Sequence, residues 1–229
     1  MSDKSALVLG SSGLEGSHLL KYLLEDPEYS RVVALVRNRL FLEHPKLEQL
    51  VIDFEELENY REYFILDQVF CCLGTTMKKA GTKEAFIKVD LEYPVESARI
   101  AKKSGVKKFL IISALGANEK SAVFYNRVKG QVECGIKKLG LDSLDIFRPS
   151  LLLGTRRDFR PAEKAAAILS RLLSFSFVGP LKKYRPVEAK AVAFAMYSSA
   201  IKGTAGINIY ESDKISEIYS NRDKHVTGK

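Results

Sequence analysis

The chain has 229 residues, 36 Lys and Arg against 28 Asp and Glu for a formal charge of +8, and 46% hydrophobic content. This composition excludes collagen-like, disordered and disulfide-scaffold classes and suits one α/β domain large enough to bury a full core. No run of about 18 apolar residues occurs, so no membrane span is expected, and a start at Met1-Ser2-Asp3-Lys4 without an apolar leader reads as cytoplasmic.

In chain order, Ser5–Leu9 is an apolar strand and Leu14–Glu25 a helix with Leu19, Leu20, Leu23 and Leu24 on its apolar side. Arg31–Val36, Leu50–Ile52 and Gln68–Leu73 read as the next three strands. Residues 83–104 form a long helical stretch with a kink at Pro94. Lys107–Ser113 is a fifth strand, Ala122–Leu139 a helix closed by Gly140, and Leu144–Phe147 a sixth strand. Helices around 162–173 and 188–201 and a late strand at Gly206–Tyr210 follow. Strands apolar almost throughout belong to a parallel sheet buried on both faces, and their alternation with helices gives a doubly wound, Rossmann-like α/β fold. The whole of 1–229 reads as one domain, with 150–190 and 211–229 as a small C-terminal substrate region.

Cys71, Cys72 and Cys134 show no Cys-x-x-Cys spacing, and the three histidines lie far apart, so the cysteines read as reduced core thiols and no metal site is expected. Residues 1–150 carry 22 basic and 21 acidic side chains, residues 151–229 carry 14 and 7. The excess includes Arg156, Arg157, Arg160, Lys182, Lys183 and Arg185. It reads either as a solvated surface or as an attraction for an anionic small-molecule substrate. No nucleic-acid module accompanies it.

The first strand enters Gly10-Ser11-Ser12-Gly13-Leu14-Glu15-Gly16 and a helix begins. Glycines at such a turn let the backbone approach a pyrophosphate at a helix N-terminus, where free N–H groups and the dipole favour negative charge. The second strand ends at Arg37-Asn38-Arg39 with no carboxylate for a ribose 2′-hydroxyl, which selects NADP(H) over NAD(H) with Arg37 as the leading phosphate contact. Asp53 and Phe54 follow the third strand, Leu73-Gly74-Thr75 the fourth, both suited to contact a dinucleotide; Asp53 equally suits a helix cap.

Tyr125 and Lys129 stand at i and i+4 of one helix, so phenol and ammonium share a face. A tyrosine titrates near about 10, and a neighbouring cation favours its phenolate. Ser113 ends the fifth strand, at the sheet edge where ligands of α/β folds bind. Together they suit carbonyl reduction or its reverse: Tyr125 as proton donor, Lys129 as its activator and a ribose contact, Ser113 as a donor to the carbonyl oxygen. A second Tyr-x-x-x-Lys pair, Tyr210 and Lys214, crosses a polar turn and cannot share a helical face.

These motifs resemble the atypical or extended short-chain dehydrogenase/reductase family, with the closest likeness to its Tat-interacting-protein-like NAD(P)-binding branch. The likeness extends to Cys72–Thr76, Ala80-Gly81, Lys88-Val89-Asp90, Lys129-Gly130 and Phe147-Arg148-Pro149. The resemblance implies NADP(H) binding, a small substrate region, and a homodimer paired through the helices at 83–104 and 122–139. The asparagine of the family's proton relay has no match; Asp90 lies in that neighbourhood. The leading reading is an NADP(H)-dependent oxidoreductase on a small carbonyl or alcohol. A non-catalytic NADPH-sensing regulator and a nucleotide-sugar epimerase or dehydratase stand as alternatives.

Overall fold

The computed structural model describes residues 3–153 and 179–222. The helix expected around 162–173, with Arg156, Arg157, Arg160, Phe159, Phe175 and Phe177, lies outside the described residues. Seven strands form one parallel sheet: β1 (Lys4–Leu9), β2 (Tyr29–Val36), β3 (Leu47–Val51), β4 (Gln68–Cys71), β5 (Lys108–Ile112), β6 (Ser143–Arg148) and, last in the chain, β9 (Gly206–Glu211). Their order across the sheet is β3-β2-β1-β4-β5-β6-β9, which reverses direction between β1 and β4. That reversal opens a crevice at the carboxyl ends of β1 and β4, the place where such sheets bind ligands. A separate small pair, β7 (Leu152–Leu153) with β8 (Val187–Glu188), lies beside it.

Helices cover both faces. On one face pack α1 (Leu14–Glu25), α6 (Ala189–Lys202) and α7 (Ser212–Ser220), burying Leu19, Leu23, Val192, Met196 and Ile215 against Val8, Phe70 and Leu110. On the other, an irregular 3-10 run (Phe54–Phe64), α4 (Tyr93–Lys103) and α5 (Phe124–Lys137) bury Leu57, Phe64, Ile100, Val132 and Ile136 against Leu7, Val69 and Ile146. Because each inner strand is sandwiched, Ala6–Leu9, Val32–Val36 and Lys108–Ile112 are buried without alternation.

Three elements differ from expectation. β3 starts earlier, at Leu47, because it is an edge strand whose Glu48 and Gln49 are only half-buried, so its apolar content understates it. The stretch at 83–104 is three pieces: α3 (Lys83–Ile87), a π-helical turn over Lys88–Glu92, and α4, with Pro94 in the opening turn, where a missing N–H costs nothing. Residues 212–220 form a regular helix, α7, whose Ile215 and Ile218 face the core.

Candidate active site

β1 ends at Gly10, whose φ of +80° is a left-handed conformation that glycine adopts without strain. A β-carbon on Gly10 would lie 2.5 Å from the Cys72 carbonyl oxygen, and one on Gly16 would lie 2.3 Å from that of Gly10. The turn is therefore pressed against the end of β4. Gly13 donates its N–H to the Gly10 carbonyl at 2.9 Å and stands at the N-cap of α1, where no side chain caps the helix. The first amides of α1 retain their donors, and the helix dipole favours an anion there. Ser11 Oγ is buried with no hydrogen-bond partner among the described residues. Such an orphan is costly unless a ligand satisfies it. Glycine backbone, free amides and orphan hydroxyl together fit the diphosphate of a dinucleotide. Ser12 is exposed, and Leu14 opens the helix half-buried.

Around this turn stand the other strand ends. Arg37 follows β2, is exposed, and enters no ion pair among the described residues. Asp53 caps the 3-10 run, its Oδ1 accepting the Glu55 N–H at 2.9 Å, so the capping reading of that residue holds. Phe54 is buried against Tyr93, with ring centroids 5.7 Å apart. Beyond β4, Leu73 packs on the core, and a β-carbon on Gly74 would sit 3.6 Å from Asp90 Oδ1 and 4.0 Å from Lys129 Nζ.

Asp90 is the residue that organises this end of the molecule. The π turn carries it inward until it is 1% exposed. Its Oδ2 accepts the Thr75 N–H at 2.8 Å, and its Oδ1 lies 2.8 Å from Lys129 Nζ. Burial pushes the Lys129 ammonium down; the Asp90 carboxylate, seconded by Tyr125, more than offsets this and holds it above the ordinary lysine range. One turn before Lys129, Tyr125 is 40% exposed, its ring 6.0 Å from Phe86, and its hydroxyl makes no hydrogen bond among the described residues. The lysine read from the i, i+4 spacing as the partner of Tyr125 makes its ion pair with Asp90, and the phenol one turn away adds a smaller electrostatic contribution.

Ser113 sits just past β5, buried, and donates its hydroxyl to Glu133 Oε1 at 2.7 Å. Glu133 lies one turn beyond Lys129 on α5. Arg148 grips it with Nε at 2.9 Å and Nη2 at 2.6 Å, and Lys137 reaches it at 3.3 Å. Although burial pushes this carboxyl up, the Arg148 and Ser113 hydrogen bonds win and keep it below the usual glutamate range. A serine has one proton to donate. The expected donor to a carbonyl oxygen therefore has its proton on Glu133 and offers an acceptor instead. A cavity of about 460 Å³ beside Glu133, Cys134 and Arg148 includes none of the glycine-turn residues.

Residues 10–137 match the model of a family described as NAD(P)H-binding, a span running from the glycine turn to the last residue of α5. The chain belongs to the NAD(P)H-binding family. Among relatives of this NAD(P)H-binding protein, "Protein HTATIP2" of Rattus norvegicus is 41% identical over 167 residues, 71% of this chain and 69% of that one. "Protein fmp52-1, mitochondrial" of Aspergillus terreus is 31% identical over 218 residues, 92% and 93% of the two chains. The atypical short-chain dehydrogenase/reductase likeness read from the motifs holds. The cytoplasmic expectation does not: fungal relatives from Aspergillus terreus, Aspergillus fumigatus and Candida albicans are named mitochondrial. No helix among the described residues is long and apolar enough to cross a membrane. In fold, the chain is similar to the Bordetella bronchiseptica enzyme WbmH in complex with NAD+ (TM-score 0.70, 18% identity, 98% and 82% of the chains). It is equally similar to a UDP-N-acetylglucosamine 4-epimerase of Methanobrevibacter ruminantium (TM-score 0.69, 17% identity, 100% and 84%).

Asp90 and Glu133 had no assigned role in the sequence. The signal was present in the stretches Lys88-Val89-Asp90 and Phe147-Arg148-Pro149, which converge here through Asp90–Lys129 and Arg148–Glu133. Gly130 belongs with them: a β-carbon there would lie 2.1 Å from the Asn118 and Glu119 backbone. Tyr184, within the expected substrate region at 150–190, is exposed.

Proposed function

We propose that this protein is an NADP(H)-dependent oxidoreductase acting on a small carbonyl or alcohol, with Tyr125 as the acid/base group. The observation that supports the reading is the half-exposed Tyr125 one helical turn before Lys129, whose ammonium pairs with Asp90 and lies 4.0 Å from a β-carbon placed on Gly74, just past β4. A nicotinamide bound in that crevice supplies or accepts the hydride. Gly10, Ser11, Ser12, Gly13, Leu14 and Gly16 would hold the diphosphate, Arg37 the 2′-phosphate, and Asp53, Phe54, Leu73, Gly74 and Thr75 the flanks of the nucleotide. In the reducing direction Tyr125 would give its proton to the substrate oxygen as the carbonyl carbon gains a hydride; Lys129 would stabilise the phenolate left behind and could bind the cofactor's ribose hydroxyls. Asp90 keeps Lys129 charged and aimed. Ser113, its own proton on Glu133, serves as an acceptor.

The test is NADPH titration followed by a carbonyl panel, with Tyr125→Phe alongside. The expected result is NADPH affinity unchanged in the variant and turnover reduced about 10²–10⁴-fold. A non-catalytic NADPH sensor is the second reading, favoured by the internal engagement of Ser113 and Lys129 by Glu133 and Asp90. Tight NADPH binding without turnover on any panel member in the parent protein selects it.

A further inference from the structure

Away from the glycine turn and α5, a cavity of about 500 Å³ lies between α6, β9 and α7, bordered by Ser199, Lys202, Tyr210, Lys214, Ile218 and Asn221 among others. Ser199 and Tyr210 in its lining belong to a buried polar chain. Behind them Lys108 and Asp145, buried on the adjacent strands β5 and β6, form an ion pair at 2.8 Å, and Lys108 also donates to the Ser199 carbonyl at 2.9 Å. Asp145 takes Asn208 Nδ2 at 2.9 Å on one oxygen and the Ser199 hydroxyl on the other. Ser199 has then spent its only proton, so in its 3.0 Å contact with the Tyr210 hydroxyl the tyrosine is the donor. Tyr210 is held in that orientation by stacking on Phe147, centroids 4.8 Å apart and planes 10° from parallel.

The direction of this chain decides what the cavity can bind. With its proton directed inward, the Tyr210 oxygen keeps only lone pairs for the cavity. Asn221 Nδ2 gives one of its two protons to the Glu217 carbonyl at 3.0 Å, and its Oδ1 is available as an acceptor. Two ammonium groups and the Glu217 carboxylate also line it. Lys214 is paired with Glu217 at 2.9 Å, whereas Lys202 enters no ion pair among the described residues. Acceptors on one side and an uncompensated cation on another call for a ligand with hydroxyl donors and a negative charge. The volume suits a small molecule.

We propose that this cavity is a second binding site, for a small polyol bearing one anionic group, a carboxylate or a phosphate. The Tyr210–Lys214 pair that fails as a catalytic motif becomes two walls of that site. Isothermal titration of the full chain with glycerol 3-phosphate and with D-glycerate distinguishes the two anions; inorganic phosphate and glycerol serve as the separated halves. One of the two composite probes is expected to bind at a single site at least tenfold more tightly than either half. Lys202→Ala, at an exposed position, and Tyr210→Phe should each weaken that binding at least fivefold while NADPH affinity stays unchanged. The proposal is overturned if neither composite probe outbinds its halves, or if Lys202→Ala leaves the affinity intact. It is also overturned if Lys202→Ala lowers NADPH affinity to the same degree.

Discussion

At the scale of single residues, Asp90 governs the charge of its neighbour. Lys129 is held above the ordinary lysine range, so the stability it contributes is present below its unfolded value of about 10.4 and disappears as pH rises through the higher folded value. Asp90→Asn removes the carboxylate but leaves the burial, which acts in the opposite sense. The variant should lose about 3–5 kcal/mol at neutral pH, the typical cost of an unpaired buried charge, and should regain stability as pH rises toward 10 while the parent does not. Urea unfolding across pH 7–10 reads both the size and the inverted slope.

Glu133 works with the other sign. Its carboxyl is depressed, so its contribution is complete above its unfolded value of about 4.3 and is lost as pH falls through the folded one. Glu133→Gln should therefore flatten the acid limb of the stability profile, and an unchanged limb in acid titration by circular dichroism would exclude the ion pair with Arg148 as its source. Arg37 tests cofactor choice: Arg37→Glu should weaken NADPH binding at least tenfold and leave NADH binding less affected, read by fluorescence titration.

Elements impose a different constraint. α5 lies so close to the 118–119 loop that only a hydrogen fits at Gly130. Gly130→Ala should cost about 1–3 kcal/mol or more despite alanine's better helix propensity, because backbone rather than a movable side chain stands in the way. A thermal midpoint equal to or above the parent's would show that the loop yields. At this scale much was legible before any coordinates. The α1 boundaries follow from glycines on one side and leucine spacing on the other, and the inner strands announce themselves by uninterrupted apolar runs. β3 was harder, since an edge strand has half-buried polar positions. The π turn was illegible because a local widening leaves almost no periodic trace. The pairings that complete the site were hidden for a related reason. Asp90 and Lys129 are separated by 39 positions, and Ser113 and Glu133 by 20. Only the sheet order brings them together.

For the whole molecule, one buried pair ties two adjacent strands of the sheet to α6. Lys108 on β5 and Asp145 on β6, both buried, meet beneath Ser199. Asp145→Ala should destabilise the protein by about 3–5 kcal/mol, because Lys108 is left charged and alone. The double variant Lys108→Met, Asp145→Leu should recover most of that loss, measured by denaturant midpoints, since well-packed apolar replacements of a buried pair are often neutral.

The place of β9 in the sheet bears on how the molecule is made. It is the outermost strand, yet its partner β6 ends at Arg148, 58 positions before β9 begins at Gly206. While the polypeptide is still leaving the ribosome, β6 is an open edge and Phe147 waits for the Tyr210 ring that covers it. The segment that seals the sheet is thus synthesised well after the strand it covers, and nascent chains stalled before Gly206 should need chaperone shielding that chains extended past Glu211 do not.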